Sequence, residues 1–262
     1  MIKLFRKVRQ KMLIENKFSK YLLYATGEIV LVVIGILIAL SINNWNEAGK
    51  ERRKEINYLN NLKIDLGNEL VNNENFRSIR YEKARTCSFL LNTKLPKTIE
   101  NVKEYTNKYE QVFYMHLFVP NNNTFKELLS SGNLSLIKND SIKNALLNLD
   151  KQYAEFYNAE HHIRREFEEY LYNIAIKGTS VLNFLDHNKS LGGFPIQLKI
   201  EDIPESNYAK LIEEAQWLYN NKTFNNGLRL ARMTNDGLAY AHKNTQQDIK
   251  KMIKLINSEI EK

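Results

Sequence analysis

The stretch "AEHHIRREFEE", residues 159–169, holds the densest group of side chains able to do chemistry. His161 and His162 sit side by side, His162 and Glu166 lie one helical turn apart and Glu169 follows on nearly the same side, so two or three ligands could begin a metal site on one helix. A closed site needs more ligands from other helices, and none of those carries H-E-x-x-H or the Glu-x-x-His pattern of di-iron bundles. Arg164 and Arg165 beside the pair oppose a bound cation. His161, His162 and Glu166 are thus weak metal candidates, and a solvated charged face is the expectation. Glu160 raises different chemistry, because it falls on an otherwise apolar stripe. A buried carboxylate needs a partner, and Asn235 and His242 sit on the stripe of the last helix. The expected role is a polar seam, Glu160 with His242 or Asn235, that sets helix register. A proton-sensing Glu–His pair is the sharper alternative.

Other chemistry is thin. Cys87 is the only cysteine, so intrachain disulfides, zinc knuckles and C-x-x-C redox motifs are excluded; a small buried residue is expected. No G-x-x-x-x-G-K, G-x-G-x-x-G or G-x-S-x-G occurs, and "SSG" at 130–132 reads as a helix stop. Neither catalysis nor a cofactor is expected. The competing reading is a metal-dependent envelope enzyme built around His161, His162 and Glu166 with groups from residues 178–206.

The elements that hold these residues begin with an address. The net charge of +8 is concentrated in residues 1–20, where seven basic residues face only Glu15. The remainder has no basic stripe for phosphate, so nucleic acid is not an expected partner. Ile29 to Leu40 is twelve residues without a polar one. Extended from Tyr21 to Ile42 the run reaches roughly 33 Å, enough for a bilayer core. Tyr21, Tyr24 and Trp45 lie near its ends, where amphipathic rings favour the headgroup layer. Basic residues before the run keep the N-terminus cytoplasmic. The rival is a cleaved export signal with Ala39 and Ser41 at small-x-small spacing, but the long n-region favours an uncleaved anchor.

Glu28, Gly35, Ala39 and Asn43 share one face of this helix. Gly35-x-x-x-Ala39 lets two helices approach closely, which points to a homo-oligomer through the membrane helix; the bland alternative is that Glu28 snorkels to the interface. Upstream, "MIKLFRKVRQKML" is amphipathic and suits an anionic inner leaflet. The order "FRKVRQKMLIENKFSKYLLYATGEIVLVVIGILIALSINNWNE" resembles the start of a family of bacterial single-pass membrane proteins of unknown function, and "ELLSSGNLSLIKN" at 127–139 resembles a second recurring stretch of it. The resemblance implies a Gram-negative inner-membrane anchor with a helical extracytoplasmic region, and implies no activity.

After the span, all four prolines fall between periodic segments. Helices are expected at about 50–93, with Leu59, Leu62, Leu66, Leu70, Tyr81, Ala84 and Leu91 on its stripe, and at roughly 98–118. Thr124 and Glu127 have capping-box spacing, and Gly132 suits a left-handed stop. Asn139 or Asp140 caps the longest helix, whose seam runs Ile142, Leu146, Leu149, Tyr153, Phe156, Glu160, Ile163, Phe167, Tyr170 and Ile174. Residues 178–206 break the pattern, with one short helix near 179–186. Helices at 206–219 and 222–261 complete the chain. The expected protein is all-α: a cytoplasmic arm (1–20), a transmembrane helix (21–45), and an elongated antiparallel bundle of four long helices (46–262) outside the cytoplasm. The expected partners are the lipid bilayer, a second copy, and an unknown envelope protein or ligand.

Overall fold

The computed structural model describes the backbone of residues 18–262 apart from 114, 181–184 and 192–193, and side chains outside 18–21, 110 and 181–197 as well. The amphipathic arm before Phe18 lies outside the described residues. Two compact units divide the chain, Met1–Tyr58 and Leu59–Lys262.

The described part of the first unit is the start of α1 (Phe18–Asn92), a helix of 75 residues. Its length follows from composition: no proline occurs between Phe18 and Asn92, and isolated Gly27, Gly35, Gly49 and Gly67 each cost only about 1 kcal/mol. The break allowed by Asn43, Asn44 and Gly49 does not occur. The most apolar eighteen-residue window of α1 has a mean hydropathy of 2.5, and none of it is buried.

The second unit is a helical bundle. Residues 59–92 of α1 bury Leu59, Leu62, Leu66, Ala84 and Leu90. α2 (Ile99–Phe113) follows. It stops short of the expected 118, because residues 115–122 leave the helical path and run as an irregular strap to α3 (Asn123–Ser130). The capping box does not form: Asn122 is the N-cap and makes no side-chain cap bond. Instead Asp65 of α1 accepts from the Thr124 amide at 2.8 Å, so the cap comes from another helix. Gly132 takes the expected left-handed conformation, φ 70°, before a 3-10 turn at Asn133–Leu136.

Asn139 caps α4 (Asp140–Phe167), its side chain accepting from Ser141 N at 2.9 Å and Ile142 N at 3.3 Å. The seam from Ile142 to Ile163 is buried as expected. Beyond it a π-helical turn, Glu168–Tyr172, advances the phase by one residue. Leu171 takes the core position at 1% exposure, and Tyr170, expected on the seam, is left 38% exposed. α5 (Asn173–Gly178) closes this element.

The expected short helix near 179–186 is corrected by a small antiparallel hairpin, β1 (Leu185–Leu191) and β2 (Phe194–Gln197), pairing Leu185 with Gln197 and Leu191 with Phe194. Residues 179 and 180 are not helical, and 181–184 lie outside the described residues. Two 3-10 turns lead to α6 (Tyr208–Asn220) and α7 (Lys222–Ile260), the latter capped by Asn221.

Among the described residues three long helices, rather than the expected four, build the bundle, because α2 ends after 15 residues. Asn139–Glu259 and Gln152–Asp248 bonds make α4 and α7 antiparallel. Asn73–His242 and Arg80–Asn235 bonds do the same for α1 and α7. A second apolar cluster, including Tyr105, Tyr109, Leu171, Leu218 and Phe224, packs α2, α6 and the π turn against the ends of α1 and α7.

Candidate functional site

The strap sets a physical problem. Its backbone runs between helices without a helix or sheet ladder, and each buried amide or carbonyl there needs a partner. Side chains from α1 and α4 supply them. Glu160 accepts from the Phe118 amide through both carboxylate oxygens, at 2.9 and 3.1 Å. Glu69, fully buried, accepts from the Asn121 amide at 2.7 Å and from its side chain at 3.2 Å. Asn72 donates to the Val119 carbonyl at 2.9 Å, and Arg80 to the His116 carbonyl at 2.9 Å.

Arg80 is the centre of this layer. Only 2% exposed, it makes a charge-assisted bond to Glu160 and a 3.4 Å bond to Asn235 Oδ1. Burial pulls its guanidinium below the usual value, and Glu160 opposes that pull. Asn235 donates in turn to the Ala231 carbonyl at 2.7 Å.

One layer along, His242 is fully buried with Nδ1 2.9 Å from Asn73 Oδ1. Asn73 Nδ2 donates to Glu69 Oε1 at 2.7 Å, which assigns its oxygen to His242 and the Nδ1 proton to the imidazole. The ring stacks on Phe156 at 4.2 Å and meets the edge of Phe118 at 5.1 Å. Burial first, and then Arg80, push its pKa down to about 4. Glu69 moves the other way, raised by burial against four donors that lower it. His242 Nε2 and Arg80 Nε are buried without a hydrogen-bond partner among the described residues.

Glu160, Asn235 and His242 are all buried, but none of them bonds to another of the three. Arg80 bridges Glu160 to Asn235, and His242 belongs to Asn73 and Glu69. Arg80, Glu69 and Asn73 are polar residues on a helix whose expected stripe is chosen from its hydrophobic residues, so the sequence reading passes over them. Leu70 and Tyr81 were placed on the stripe in their stead; Tyr81 is 53% exposed and Leu70 half-buried. The phase held the signal: Leu59, Leu62, Leu66, Glu69, Asn73, Phe76, Arg80, Lys83 and Cys87 keep steps of three and four. Lys83 and Cys87 are buried in that stripe, which holds the amine down to about 8 and the thiol up at about 11.

The histidine group lies elsewhere. His161 and His162 are exposed on the outer face of α4. His162 pairs with Glu166 at 2.9 Å and with Arg165 at 2.8 Å, while His161 packs edge-on to Tyr157 at 4.4 Å. Among the described residues no three His, Cys, Asp or Glu side chains are placed to hold a metal ion. Glu28, Gly35, Ala39 and Asn43 all lie on α1, the last three exposed and Glu28 half-buried. A cavity of about 40 Å³ between α2 and α6 is lined by Val102, Tyr105, Tyr109, Leu211 and Leu218 among others.

The buried layer can hold an irregular segment and specify one packing of three helices. No curated protein and no solved structure matches the chain. The family described as a family of unknown function, DUF6090, matches residues 28–185, which take in the apolar helix, the Arg80–Glu160 pair and the strap between them, and the chain belongs to that family.

Proposed function

We propose that this protein is a membrane-anchored interaction module. α1 crosses the inner membrane once with the basic arm in the cytoplasm. The helical body outside binds an envelope protein, an envelope component or a small ligand and catalyses no reaction.

The observation that carries this reading is the apolar stretch of α1, with mean hydropathy 2.5 and no burial. Eighteen such residues span about 27 Å, close to a bilayer core, and an apolar surface of that extent is unstable in water. The seven basic residues before it favour an inside N-terminus. The noncatalytic reading draws support from the polar layer, whose charged groups are committed to one another and to the strap backbone. Self-association is part of the proposal: nothing lies within 4 Å of where a Cβ would stand on Gly35, so a second helix could approach there.

A reporter fused at Lys262 that is active only outside the cytoplasm tests the orientation, and silence there overturns it. Cross-linking in intact cells followed by mass spectrometry tests the interaction reading. A dominant foreign partner supports it, and Gly35→Leu should lower the self-linked fraction. Extraction of the chain by carbonate would refute the anchor.

A further inference from the structure

We propose that His242 is an acid-operated latch: its protonation opens the buried layer and releases the strap, residues 115–122, from α1, α4 and α7. The imidazole has one committed nitrogen and one bare one. Its Nδ1 proton is committed to Asn73, and Nε2 is buried with no partner among the described residues. A proton added at Nε2 would create a donor without an acceptor, and a cation among Phe76, Phe118 and Phe156. The stacked ring offers some cation–π attraction, while desolvation and the Arg80 charge both disfavour the cation.

The charged and titratable groups around this position come from each neighbouring element. α1 contributes Glu69 through Asn73, Glu74 through its 2.8 Å bond from Gln246 one turn along α7, and Arg80. α4 contributes Tyr153 and Glu160, the latter already engaged by Arg80. The strap contributes His116, whose carbonyl holds Arg80. Among the described residues no carboxylate lies within hydrogen-bond reach of Nε2 to receive a proton added there.

The strap is the part that yields. Every other element touching His242 is a long helix with its own hydrogen-bond ladder, whereas the strap is held by side chains of this layer. Phe118 supplies both a ring against His242 and an amide to Glu160. Val119 and Asn121 are held by Asn72 and Glu69. Local opening draws on such weakly self-supported segments.

The sign follows from linkage. With an open-state value near 6.5 and about 4 when closed, the open state binds the proton first as pH falls. Opening rises by up to about tenfold per pH unit below 6.5, about 30-fold between pH 7.5 and 5. Glu69 works in the opposite sense, since a carboxyl raised in the closed state favours closure in acid.

The test is hydrogen exchange of full-length protein in detergent micelles, read by mass spectrometry on peptides covering 115–122 and corrected for intrinsic rates. Wild type should lose about 30-fold protection in the strap from pH 7.5 to 5, with the α4 seam unchanged. His242→Asn keeps a short polar group facing Asn73 and cannot titrate there; its strap should show no loss, or a gain from Glu69. An equal loss in both proteins, or none in wild type, overturns the latch. If the variant does not fold, the wild-type ring decides by NMR: titration above pH 6 in the closed state refutes the proposal, and a ring neutral to near pH 4 with falling strap protection upholds it.

Discussion

Glu160→Gln is a near-isosteric change that removes one charge from the centre of the bundle. Its cost follows from the geometry. Glu160 receives Arg80 Nη2 and the Phe118 amide, and both partners are buried. Glutamine offers one oxygen for these donors and turns an NH2 group toward one of them. Arg80, 2% exposed, becomes a buried cation without a counterion. Breaking such a pair costs about 3–5 kcal/mol, a large part of the 5–15 kcal/mol typical of a domain. Arg80→Met costs a similar amount, because Glu160 is then the unpaired charge and the His116 carbonyl and Asn235 Oδ1 lose a donor. The double variant should be far less damaged than the sum, with a coupling of about 2 kcal/mol or more, since neither charge remains unpaired. Urea unfolding of the full chain in a mild detergent, followed by circular dichroism, measures all four corners of the cycle. Additive costs, or a single substitution costing below about 1 kcal/mol, would refute the claim that this pair is buried and mutually dependent.

Three further outcomes are expected. Gly178→Ala places a Cβ 1.9 Å from Trp217 Cζ3, so the indole must move; stability should fall by about 1–3 kcal/mol and the Trp217 emission should change. On α7, Gly227→Ala meets Leu171 Cδ2 and the Tyr170 carbonyl at 2.9 Å and should destabilise, whereas Gly237→Ala meets nothing within 4 Å and should stabilise by about 0.5–1 kcal/mol; thermal melts of the two separate packing from propensity. Cys87, fully buried with its thiol pushed up to about 11, should resist iodoacetamide at pH 8 in the native protein and react once urea exposes it, and rapid native alkylation would contradict its placement.

The long-period features of this protein were legible from residue order. The apolar run between a basic arm and Trp45, the α4 seam from Ile142 to Ile163, the Asn139 cap, the left-handed Gly132 and the stripe of α7 all appear where the spacing puts them. Each depends on interactions within a few turns of one helix, which a period of 3.6 residues expresses directly. The α1 stripe shows where that reading failed. Choosing hydrophobic Leu70 and Tyr81 over Glu69 and Arg80 put composition ahead of phase, because a charged residue is normally a surface residue.

What made Glu69 and Arg80 interior residues is not local. An irregular strap enters between α1 and α4, and its amides and carbonyls must be satisfied by whatever side chains face it. That requirement comes from segments 36 to 80 residues apart in the chain. The Asp65 cap on α3, the π turn that exchanges Tyr170 for Leu171, and the choice of Asn73 as the His242 partner share this origin. Residue order determined which helices exist and which faces are apolar. The tertiary structure decided which polar groups meet, since a buried donor takes the acceptor that packing brings within about 3 Å.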